Sequence, residues 1–300
     1  MKVFRIFSLF FLFILFLTAI SAKECGLDNL GSCLAKKISE ELFEFFLNIL
    51  NSSIEPLVSL NRDLLTKPVN ISIFSEIWAV IVYIISLFYG LLILLSGFRF
   101  IISGRSPELR EKAKSELTNI IIMMILVQAS FLLYSAIIEL VSSLTRIIFN
   151  LINPNFFSLT YAGISNASLE IMLTLPYVLL LIITLIILVL RYICVSAGVI
   201  LFAIGIFFYF IGILNQYGKL IINILFSLIS LPFFYSIIFL TSSKLAETST
   251  FGNMKILLMI GSFSLVILST AILVLFVIIK ASIKLIGPAS KIAKVVSYLG

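Results

Sequence analysis

Histidine is absent from the 300-residue chain, and with it go the usual general base, the commonest metal ligand and the side chain that titrates near neutrality. Charge is scarce as well. Asp, Glu, Lys and Arg make up 12% of residues, against about a quarter in ordinary soluble domains. A chain this long with so little charge cannot build a polar exterior, so water is excluded as its main solvent. Cysteine occurs three times and never as Cys-x-x-Cys, which argues against dithiol redox chemistry. Cys194 falls within an apolar run, whereas Cys25 and Cys33 follow the first apolar segment, where a structural disulfide is expected if that stretch is exported. The nearest approach to a phosphate-binding loop, Gly212, Gly218 and Lys219, has one residue too many between its glycines and Leu220 where a hydroxyl is required. No catalytic residue, cofactor or metal is expected, and any energy source must come from a partner.

What is present is apolar sequence, 61% of all positions, in runs longer than the ~20 residues that cross a ~30 Å hydrocarbon core. The reading is all-α: a polytopic membrane protein of five to six transmembrane helices with an N-terminal amphipathic helix. The net charge of +7 admits nucleic acid as a partner, but extra Lys and Arg in cytoplasmic loops explain it more simply.

Residues 1–22 have the basic start (Lys2, Arg5), apolar run and small-residue end of a secretory signal peptide, which places the following segment, 23–73, outside the cytoplasm. Within it, residues 34–50 repeat apolar positions at helical spacing opposite Lys36, Lys37, Glu40, Glu41 and Glu44, an amphipathic helix for the membrane surface or a partner. A helical hairpin over 74–144 is expected, with spans near 74–102 and 117–141. Its tip carries Arg105, Arg110, Lys112 and Lys114, the clearest cytoplasmic marker in the chain. Residues 145–170, with Asn153-Pro154-Asn155, are expected to form an external loop. A helical bundle occupies 171–280, and a basic tail follows over 281–300.

The run 171–213 is too long for one span. Arg191 divides it, and the expectation is a helix over 171–190 that brings Arg191 to the inner surface to snorkel. Residues 192–213 then either cross, giving six spans, or turn back, giving five. Charge favours five, with the C-terminus cytoplasmic.

Gly198, Gly205 and Gly212 recur at seven-residue steps and share one helix face, which suits close helix packing and, alternatively, a pore lining. Pro232 should kink its span and is a candidate hinge. Gln128 lies near the centre of the second expected span and should be buried against a polar partner. No acidic residue is well centred in any span, which weighs against an ion-coupled transporter.

The hairpin segment from Gly97 to Glu108, followed by Lys112-Ala113-Lys114, resembles the loop joining the two helices of conjugative pilins of the TrbC type. Leu190-Arg191-Tyr192 ahead of the glycine stripe, with the Pro-containing span beyond, resembles the TrbL-like polytopic inner-membrane channel subunits of type IV secretion systems. Archaeal DNA-import relatives of the Ced type are similar in size and hydropathy. The tail here is shorter than in many bacterial members, and no proline occurs among 192–213. The resemblance implies an oligomeric subunit of the cell (inner) membrane, with pilin and a secretion ATPase as partners and DNA as cargo bound without base specificity. Small-molecule transport and a purely structural scaffold are the alternatives.

Overall fold

In lipid, backbone N–H and C=O groups must be paired within the protein, so long apolar runs become helices. The structure, a computed structural model, describes residues 30–159, 167–212, 214–248, 251 and 254–297. Seven helices account for most of them: α1 Leu30–Thr66, α2 Ser75–Ile102, α3 Pro107–Gln128, α4 Ser130–Phe149, α5 Ala167–Phe210, α6 Asn215–Ala246 and α7 Lys255–Ser297. Five segments are long and apolar enough to cross a membrane: Ser72–Ile102, Ser130–Phe149, Leu173–Phe210, Asn215–Ala246 and Lys255–Lys280. The chain is an all-helical, multi-pass membrane protein. The expected signal peptide, Cys25 and hence its pairing with Cys33 lie outside the described residues.

Three expectations are corrected. The span foreseen at 117–141 is interrupted at Ala129, so that the charged, Pro107-initiated α3 ends there and the apolar crossing segment is α4. Pro107 opens α3 at its first turn, where a missing N–H costs nothing, and Ser106 before it is extended as a pre-proline residue should be. The run beyond Arg191 is neither a separate crossing nor a turn back, because α5 continues unbroken through Arg191 for 44 residues. At 1.5 Å per residue α5 is about 66 Å long, roughly twice the hydrocarbon core. The loop expected over 145–170 is also shorter than foreseen. α4 persists to Phe149, and the turn Pro154–Phe157 inserts Phe156 and Phe157 among the helices, where the Tyr177 hydroxyl donates to Phe157 O at 3.0 Å.

Three buried clusters follow one another along α5. Its N-terminal part packs Tyr177 and Leu181 with Ile54 and Leu65 of α1, Phe157, Phe239 of α6 and Phe263 of α7. Its middle packs Val195 and Val199 with Tyr134 and Ile138 of α4, and Leu225 and Ile229 of α6. Its C-terminal end packs Ala203 and Phe207 with Val82 and Ile85 of α2, and Met123 and Val127 of α3. From this order α3 and α4 run antiparallel to α5 as a broken pair, while α1 and α2 lie beside it in succession. The joint between α1 and α2 is pinned to mid-α5, since Asn70 N–H donates to the Tyr192 hydroxyl and Ser196 Oγ donates to Asn70 O. The part of α1 beyond the expected amphipathic stretch 34–50 covers its own chain, with Ile54 and Leu65 buried. Outward faces remain apolar, as at Leu87, Leu94 and Ile101 of α2 and Leu268, Leu275 and Ile279 of α7, which matches a lipid surrounding.

Candidate functional site

A buried arginine is the most unusual feature of the interior. Arg191 is 7% exposed at the middle of α5, enclosed by neighbouring helices and not reaching out to water as its sequence context predicts. The explanation lies 41 residues along the chain. Pro232 has no N–H, so the carbonyl of Leu228, four residues earlier on α6, loses its helical partner. Arg191 Nε donates to that oxygen at 2.9 Å, and Nη2 reaches Ile229 O at 3.4 Å. The guanidinium thus closes the gap that the proline opens, and the helix defect supplies acceptors that a buried cation requires. Pro232 is buried beside this contact, at the joint between α5 and α6. Tyr134 and Tyr235 lie within electrostatic reach of the guanidinium, and the Tyr235 hydroxyl is hydrogen-bonded to Thr270 Oγ1 of α7.

The glycine stripe packs over two of its three positions. A Cβ on Gly198 would overlap the Tyr134 hydroxyl and come within 2.7 Å of Leu225 Cδ2. Only glycine lets Tyr134 reach over α5 and donate to Val195 O at 2.7 Å. Gly205 faces Ile221 and Ile222 of α6 more loosely, at 3.0 and 3.2 Å. Gly212 has nothing within 4 Å, since α5 has ended at Phe210 and the residue belongs to the turn into α6. The third close glycine is instead Gly218, where a Cβ would stand 2.6 Å from Tyr209 Cα and 2.7 Å from Gly205 O. Its signal in the sequence is symmetry, because Gly205 and Gly218 flank the connection between α5 and α6 at similar distances, as facing positions of a helical hairpin must.

Gln128 corrects another expectation. It is exposed, because α3 ends at this residue and the break at Ala129 leaves it on the outer surface. The polar contact at that level belongs to Ser130, whose hydroxyl accepts from Trp78 Nε1 of α2 at 2.9 Å. At the hairpin tip, Arg110, Lys112 and Lys114 are exposed, and Arg99 pairs with Glu116 at 2.9 Å to hold α2 against α3. Arg105 lies in the tight turn Ser103–Arg105.

A second polar cluster closes the opposite end of the α6–α7 pair. Asn153 N–H donates to Ser243 Oγ at 3.1 Å and its amide to Glu247 at 3.3 Å, while Lys255 donates to the carbonyls of Asn155 and of Ser158, the latter at 2.7 Å. Hydrogen bonds from Lys244 and Asn153 hold the Glu247 carboxyl below the usual carboxylate value. These contacts are local and structural, fixing the Phe156–Phe157 turn against the helix ends. Among the described residues no group of three His, Cys, Asp or Glu could hold a metal ion.

Comparison with family models, with curated proteins and with solved structures finds no match.

Proposed function

We propose that the protein is a membrane subunit of a type IV secretion-like machine for DNA transfer, DNA uptake or pilus assembly, acting as a channel or assembly platform. The observation that carries this reading is the α2–α3 hairpin. Its tip bears Arg110, Lys112 and Lys114 exposed beside Arg105, and its outer faces present Leu87, Leu94, Ile101 and Ile121 to the surroundings. Such a hairpin offers an apolar flank to other copies or to pilin, and a cationic tip to a secretion ATPase, anionic lipid or nucleic acid phosphate. The scaffold alternative draws on Arg191, whose Nε and Nη2 donate to carbonyls of the same chain and so serve the joint between two helices.

The test is to replace Arg105, Arg110, Lys112 and Lys114 by Gln together in the native host, then measure DNA transfer and pilus formation at unchanged protein level. A fall of about tenfold or more is expected if the tip engages a phosphate-bearing or acidic partner. Unaltered transfer and piliation would sink the proposal.

A further inference from the structure

Between α6 and α7 lies a groove of about 390 Å³ whose walls grade from apolar to cationic. From α6 it takes Asn223 and Ser227, and from α7 Ser269, Leu273, Phe276 and Lys280. The Tyr235–Thr270 and Phe239–Phe263 contacts together set the two helices antiparallel, so Ser269 lies at one end of the groove, with Asn223 and Lys280 toward the other. Ser227 and Ser269 already donate to carbonyls of their own helices, both at 2.8 Å, and present no open donor to the groove. Lys280 differs. Its ammonium rests 5.4 Å from the Phe276 ring centroid and has no acidic partner among the described residues.

The sequence leaves little that could supply one. After residue 170 the only acidic side chain is Glu247, and it is paired with Lys244 at the far end of α6. Against it stand Arg191, Lys219, Lys244, Lys255, Lys280, Lys284, Lys291 and Lys294. Lys219, one turn before Asn223 on the same helix face, is exposed at the same end of the groove as Lys280. A cleft open to the lipid, apolar along its length and cationic at one end, has the polarity of a phospholipid molecule. Its volume falls within the about 300–1,000 Å³ usual for small-ligand sites.

We propose that this groove binds one anionic phospholipid of the surrounding bilayer, an acyl chain lying along Leu273 and Phe276 and the phosphate meeting Lys280 and the Asn223 amide. The site rests on the membrane assignment alone and is independent of the secretion reading.

The test uses the full chain in detergent, with lipid retention read by native mass spectrometry. Phosphatidylglycerol should be retained about tenfold more tightly than phosphatidylcholine with the same acyl chains, equivalent to about 1.4 kcal/mol. Lys280→Gln should remove that preference, and Lys244→Gln, at the other end of α6, should keep it. Leu273→Trp, which fills the groove, should weaken both lipids. Equal retention of the two lipids, or an unchanged preference in Lys280→Gln, would overturn the site. Displacement of phosphatidylglycerol by millimolar inorganic phosphate would overturn it too, by showing a free-anion site. So would spontaneous disulfide dimers of a Ser269→Cys variant, which would make the groove an interface between copies.

Discussion

At the scale of single residues, the pairing of Arg191 with the carbonyl that Pro232 leaves free is a coupling between two sites and should behave as one. Arg191→Met leaves Leu228 O buried without a donor, at a cost of about 1–3 kcal/mol. Pro232→Ala restores an N–H for that carbonyl and should be close to neutral alone. In the double variant the alanine N–H satisfies the oxygen, so most of the loss should be recovered. Thermal unfolding in one detergent across the four proteins measures this, and strictly additive losses would show that the arginine and the proline act independently. This site was not legible from side chains. Arg191 looked like an interfacial residue because its acceptors are backbone oxygens, and backbone oxygens carry no mark in a sequence. Only the proline signalled them, and nothing in the spacing of residues 191 and 232 brought the two together before α5 and α6 were seen as a hairpin.

At the scale of elements, the α5–α6 crossing sets a ranking among glycines. Gly218→Ala meets backbone and should destabilise most, followed by Gly198→Ala, which meets the Tyr134 hydroxyl. Costs near the about 1–3 kcal/mol of core overpacking are expected for these two. Gly205→Ala should cost less, because its neighbours are side-chain atoms that can shift, and Gly212→Ala should be silent. A Gly212 variant as damaging as Gly198→Ala would refute the assigned helix face. The seven-residue pattern made two of these positions legible; it failed at Gly212 because the helix ends first, and end points are weakly encoded in apolar sequence. The polar clasp at the other end of α6 answers to pH. Since the Glu247 carboxyl is lowered in the folded protein, its contribution is complete above the ordinary carboxylate value and disappears as pH falls through the lowered one. Wild type and Glu247→Gln should therefore differ in unfolding midpoint at neutral pH and converge as the pH falls below the lowered carboxyl value. A difference that persists in acid would mean that the carboxylate charge is not what holds the turn.

At the scale of the whole molecule, class and solvent were legible from composition, and the position of α2 from apolar run length. The count of five that charge favours agrees with the five crossing segments, but their division does not, because it depended on whether a charge at residue 191 ends a span, and burial of that charge lets the helix continue. With five crossing segments, an odd number, α1 and the end of α7 should face opposite sides of the membrane. In a cysteine-free background, Ser59→Cys and Ser297→Cys should be labelled by an impermeant thiol reagent from opposite sides, and labelling of both from one side would restore an even count. α5 also has more length than a perpendicular crossing needs, so tilt or extension beyond the hydrocarbon must absorb the excess.

The arginine–proline joint has a bearing on how the chain enters a membrane. On a translocon scale an arginine at a helix centre costs about 2.5–3.5 kcal/mol, a penalty that α5 carries alone while α6 is still being synthesised. Its acceptors, Leu228 O and Ile229 O, arrive only with the next helix, whose own weak point, the unpaired carbonyl, is closed by the same contact. Neither helix is complete in lipid by itself. α5 and α6 should therefore be more stable in lipid as a joined hairpin than as separate helices.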